Sequence, residues 1–130
     1  MNAKLTLVAS LIAASSMFSA HAMTKAEYDA AKDRIEQTHK ADKKACDAMK
    51  DNAKDVCEKE ADGKEKIAKA ELEQSYKPSD RNARKVQEVR ADTTYDIAKE
   101  KCDDMNGDAK KSCENDAKAA RDTAKRNLKG

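Results

Sequence analysis

Cys46, Cys57, Cys102 and Cys113 are the residues of this 130-residue chain whose type and spacing most clearly announce chemistry. Four thiols can work as a redox pair, as metal ligands or as disulfides. A thiol oxidoreductase would carry Cys-x-x-Cys. A structural zinc site wants roughly two to four residues between paired ligands. Here the members of each pair stand 11 positions apart. On a helix that distance is three turns plus about 20°, so both sulfurs lie on one face. Disulfides are the chemistry that fits: the even count predicts two bridges, Cys46, Cys57, Cys102 and Cys113 all being used.

Other candidate side chains are poorer in chemistry. His39 is the only histidine after residue 22. It stands beside Asp42 and Lys43 in a helical stretch and reads as a solvated surface residue. Asp103, Asp104 and Asp108 lack the regular alternation of oxygen ligands, closed by a glutamate, that a calcium loop needs. There is no Ser/His/Asp constellation, no glycine-rich phosphate loop and no pair of acids in an apolar setting. The expectation is therefore a non-enzyme with no catalytic residues, no cofactor and no metal.

The elements that hold the cysteines must be helices. Gly and Pro number 3 and 1, too few for a strand-and-turn architecture. Basic residues number 27 against 25 acidic ones, and there is no Trp. That near-balance argues against a nucleic-acid partner, which selects for a basic face and stacking aromatics.

Residues 1–22 read as a secretory signal peptide: Lys4, the short apolar run Leu5–Ala14, then Ala20-His21-Ala22 as a small-x-small cleavage site. The run is shorter than the ~20 residues needed to span a bilayer. Cleavage between Ala22 and Met23 leaves a single helical domain, 23–130, with no integral membrane segment. An even cysteine count in an exported chain of bacterial style predicts a periplasmic or secreted location.

From Met23 onward there are 18 Ala but only 14 large apolar residues, the rest being mainly Lys, Glu, Asp and Arg. Ala, Lys, Glu and Arg are strong helix formers. Acid-to-base pairs four apart recur, including Glu36/Lys40, Glu60/Lys64, Glu65/Lys69 and Asp122/Arg126, each adding ~0.2–0.5 kcal/mol to a helix. Thr24 and Glu27 form a capping box. The only proline, Pro78, disfavours helix at Lys77, and Ser79 or Asp80 can cap a new one. The reading is a helix over about 24–76, a turn at 77–80 and a helix over about 81–128, each ~75 Å long.

The halves are related. CDAMKDNAKDVCEKEA from Cys46 and CDDMNGDAKKSCENDA from Cys102 share eight identities at an offset of 56. Cys46 and Cys113 lie symmetrically about the Ser79–Asp80 boundary, and so do Cys57 and Cys102. An antiparallel fold-back at Pro78 thus brings each pair level, and the preferred connectivity is Cys46–Cys113 with Cys57–Cys102. The fold class is all-α: a long antiparallel, coiled-coil-like hairpin cross-linked by two disulfides. The alternative turns on Asp51-Asn52 and Gly107-Asp108, midway between the cysteines of each half. If the chain turns there, Cys46–Cys57 and Cys102–Cys113 bridges staple a four-helix bundle. The sparse apolar complement favours the hairpin over four helices sharing a core.

The pattern YDxAK (Tyr28, Tyr95), CDxM, AKxxC and the Lys/Ala/Glu bias resembles small exported proteins of proteobacteria, some of them labelled TolA-like or cell-envelope biogenesis. That resemblance implies an envelope setting. The paired cysteines are also similar in spacing to the helical hairpins of mitochondrial twin-cysteine proteins. The function expected is a structural or protein-interaction role in the periplasm or envelope, with a protein partner and room for self-association. The alternative is a stress-related periplasmic chaperone or a metal-sensing accessory protein.

Overall fold

The computed structural model describes residues 21–129; residues 1–20 of the expected signal peptide lie outside the described residues. Ala22 and Met23 precede the first helix outside any regular element, Ala22 exposed and Met23 half-buried. Four helices follow: α1 (Lys25–Cys46), α2 (Asp51–Tyr76), α3 (Asp80–Cys102) and α4 (Gly107–Asn127).

The local reasons are those of the sequence. Thr24 caps α1 through the Glu27 amide, and the Glu27 carboxylate returns to the Thr24 amide at 2.8 Å. Ser79 caps α3 by accepting from the Asn82 amide at 3.0 Å. Pro78 marks the α2–α3 turn, as its fixed geometry demands.

The two long helices expected over 24–76 and 81–128 are each divided. Asp47–Lys50 separates α1 from α2, and Asp103–Asn106 separates α3 from α4. The longest helix has 26 residues, about 39 Å, half the expected rod. Both breaks share one design: the first residue of the following helix takes positive φ, 53° at Asp51 and 58° at Gly107. These positions correspond in the repeat. Left-handed backbone suits Gly and strains an ordinary residue by about 1–2 kcal/mol. Asp51→Gly is therefore expected to raise stability by roughly 0.5–1 kcal/mol, and Gly107→Ala to lower it similarly; urea denaturation checks both. No Cβ contact within 4 Å confounds the second substitution.

Helices touch only their chain neighbours: α1 packs on α2, α2 on α3 and α3 on α4. On α2, Glu58, Asp62 and Glu73 meet α1, while Asn52, Glu60 and Glu71 meet α3. The four helices thus form an antiparallel row, a bundle opened into a single layer. The buried core is correspondingly small: Cys46, Ala61, Leu72, Val86 and Cys102, with Thr93 the buried polar residue. At the tightest point α2 and α3 meet backbone to side chain, for a Cβ on Gly63 would lie 2.3 Å from Thr93 Cγ2.

The disulfides overturn the preferred connectivity. The bridges are Cys46–Cys57 and Cys102–Cys113, with Cα separations of 5.6 and 5.8 Å, and no free cysteine remains. Cys46–Cys113 and Cys57–Cys102 do not form. The cause is helical phase. Thr93 faces α2, and Cys102 stands 9 positions further along, which at about 100° per residue puts it on the opposite side of α3. The stapled four-helix alternative is the architecture observed.

Candidate functional site

Ion pairs line each seam and fix its register. Between α1 and α2, Lys43 reaches Glu58 at 3.2 Å and Lys64 reaches Asp42 at 3.5 Å. Between α2 and α3, Lys101 reaches Glu60 at 3.0 Å and Arg90 pairs with Glu71. Between α3 and α4, Lys125 holds Asp92 at 2.8 Å, and the Arg121 guanidinium lies 4.1 Å from the Tyr95 ring centroid. Of the acid-to-base pairs four apart named from the sequence, Glu65–Lys69 forms, at 2.7 Å, and two pairs in the reverse order, Lys25–Asp29 and Lys54–Glu58, form as well. Glu60 and Lys64 instead turn outward to neighbouring helices, because a row presents partners on both flanks of α2.

His39 is not a solvated surface residue. Its Nε2 stands 2.7 Å from Asp62 Oδ1 and its Nδ1 3.5 Å from Glu65 Oε2, with the side chain 22% exposed. It is the polar centre of the α1–α2 seam. The carboxylates sit on opposite edges of the imidazole, so they cannot share one ion with it. Among the described residues no group of three or more His, Cys, Asp and Glu side chains is gathered for a metal. Asp103 pairs with Lys110 at 2.7 Å, and Asp104 and Asp108 are exposed.

These contacts shift titrations. Partial burial pushes the Asp62 carboxyl up, but the hydrogen bond from His39 and the Lys43 charge outweigh it and hold the group below its ordinary range. The Lys110 ammonium holds Asp103 low, and the Thr24 backbone amide holds Glu27 low. Each of these acids binds its proton less readily in the folded chain than in the unfolded one. Their stabilisation is therefore complete above the unfolded carboxylate range, about pH 4, and disappears as pH falls through their lower folded values. The stability gap between the native chain and a Glu27→Gln/Asp62→Asn/Asp103→Asn variant should be open at neutral pH and close in acid. Urea titrations across pH read this; a gap that does not change with pH would contradict it.

The layer presents a furrowed face. Shallow hollows of about 230, 420 and 310 Å³ lie over the α1–α2, α2–α3 and α3–α4 seams. The first two share Lys64 and the last two share Thr94 and Ala98, so they run side by side on one face. Ile35, Ile67, Ile97 and Tyr95 lie half-exposed there among Ala residues. The exposed large apolar side chains, Met49 and Met105, project from the two equivalent breaks at the other end from Pro78. The cysteines brace this surface without lining any of the three hollows. Sequence reasoning missed the face because it belongs to four helices in a row. The available signal was the Asp51-Asn52 and Gly107-Asp108 pair, which marks both extra turns.

Among the described residues no helix is long and apolar enough to cross a membrane. No protein-family model matches the chain, and neither a curated protein nor a solved structure matches it.

Proposed function

We propose that this chain is a non-catalytic protein of the periplasm or cell envelope that works by binding another protein across its furrowed face. The observation that carries the reading is the use of all four cysteines in two local bridges within a nearly coreless layer. Such a fold belongs in an oxidising compartment. The basic start, short apolar run and Ala20-His21-Ala22 supply the route there, with Met23 as the mature N-terminus. The resemblance to exported Lys/Ala/Glu-rich envelope proteins agrees.

Cell fractionation with intact-mass analysis tests it. The expected species is periplasmic or secreted, begins at Met23 and has lost four thiol hydrogens to two bridges. A cytoplasmic chain retaining residues 1–22 and four thiols would overturn the reading. The half-exposed Ile35, Ile67, Ile97 and Tyr95 favour a second reading, a chaperone that shields unfolded clients. At stoichiometric amounts it would suppress aggregation of a reduced client protein; no suppression would remove that reading and leave the first.

A further inference from the structure

The Pro78 end of the layer gathers charge that the furrowed face does not use. Lys77, Arg81, Arg84 and Lys85 line one open hollow of about 730 Å³ at the α2–α3 turn, together with Glu73 and Glu88. Along the seams the cations are engaged: Lys43, Lys54, Lys69, Lys101 and Lys125 each lie within 4.0 Å of a carboxylate. Among the described residues no such pair involves any of the four cations at the hollow. Glu73 is occupied by the Tyr28 hydroxyl, which donates to it at 3.1 Å. Asp80, exposed in the first turn of α3, is the nearest further carboxylate in sequence.

The backbone carrying these cations is fixed. Asn82 Nδ2 donates to the Lys77 carbonyl at 2.7 Å, the Asn82 amide to Ser79 Oγ at 3.0 Å, and the Ser79 amide to Gln74 Oε1 at 3.2 Å. Lys77 Nζ rests 5.4 Å from the Tyr76 ring centroid. The positive end of the α3 dipole points the same way. Concave shape, cations without a carboxylate partner within 4.0 Å and a stitched turn together suit an anion. Guanidinium groups match phosphate oxygens in a two-pronged geometry, and ammonium groups add point charge.

We propose that this hollow binds a phosphate-bearing anion, either the headgroup of an anionic lipid or a soluble polyphosphate. The contact is electrostatic and weakens with salt, which screens exposed charges; the exposed methionines, which could add an apolar anchor, sit at the opposite end of the layer. The proposal rests on the binding-protein reading and gives it a second ligand.

Titration of the disulfide-bonded protein with sodium tripolyphosphate, followed by amide NMR signals, tests it, with vesicles of phosphatidylglycerol in phosphatidylcholine as the second arm. Signals of Lys77, Arg81, Arg84 and Lys85 should move first. Arg81→Gln/Arg84→Gln/Lys85→Gln should weaken binding about tenfold or more with circular dichroism unchanged. Lys40→Gln/Lys44→Gln, on exposed α1 sites, should leave it intact. Vesicle binding lost in the triple variant identifies a lipid source; tripolyphosphate binding alone identifies a soluble one. Silence in both arms, or equal loss in both variants, overturns the anion site while leaving the protein-binding reading standing.

Discussion

Replacing Cys46 and Cys57 with serine is expected to lower stability by roughly 3 kcal/mol, and replacing all four cysteines by about 5–6 kcal/mol. Each bridge joins residues 11 apart, and closing a loop of that size removes about that much unfolded-state freedom. The loops do not overlap, so their effects should add. The total is comparable to the whole stability of an ordinary domain. Here there is little else to set against it. The buried apolar side chains other than the half-cystines Cys46 and Cys102 are Ala61, Leu72 and Val86. Without bridges, α1 and α4 are held at the row's edges by ion pairs, which when this exposed contribute at most about 1 kcal/mol apiece, and by the Tyr28–Tyr76 and Arg121–Tyr95 ring contacts. The four-serine chain should keep part of its helical circular dichroism, because its residues are strong helix formers. It should lose its cooperative urea transition. A full transition at an unchanged midpoint after reduction would contradict this.

Gly63→Val is expected to be the most damaging single substitution in the row's interior. Gly63 is buried where α2 meets α3, and even a methyl there would stand 2.3 Å from Thr93 Cγ2 and 3.5 Å from Ile97 Cδ1. Thr93 is itself buried and β-branched, so its χ1 has few wells open to it on a helix. Overpacking of this kind costs about 1–3 kcal/mol, and Val adds a second methyl to the first. Gly63→Ala should show the balance of terms. Helix propensity favours Ala by about 1 kcal/mol, whereas the clash opposes it, and Thr93→Ser removes the clashing methyl. The double variant Gly63→Ala/Thr93→Ser should therefore be more stable than Gly63→Ala alone, by urea denaturation. Identical stabilities would show that α2 and α3 do not approach as described.

Much of this was legible in the residues. Thr24 and Glu27, Ser79 and Pro78 state where α1 begins and where α2 gives way to α3. Symmetry about the Ser79–Asp80 boundary foretold the α2–α3 register, for Glu60/Lys101 and Glu71/Arg90 stand nearly symmetric about it. The error was to let the sulfurs follow the backbone. Cys57 is level with Cys102, but its side chain points to α1 while Cys102 points to α4. A shared helical face says that Cys46 and Cys57 are in phase; it cannot say whether the chain runs straight between them or folds back at Asp47–Lys50. The sparse apolar complement was counted against four helices on the assumption of a common core. A row needs none: each helix buries one narrow stripe per neighbour, which Ala can fill. Gly63 was a signal left unused, since a glycine in mid-helix is costly and often marks a close approach. His39 was misread because its partners, Asp62 and Glu65, lie on a different helix.

Peptide mass analysis of the non-reduced protein tests the stapled row most directly. Linked fragments should pair Cys46 with Cys57 and Cys102 with Cys113, and cutting the chain within the Tyr76–Asp80 turn should leave two halves with no covalent tie. Fragments joining Cys46 to Cys113 and Cys57 to Cys102 would restore the long hairpin and contradict the row.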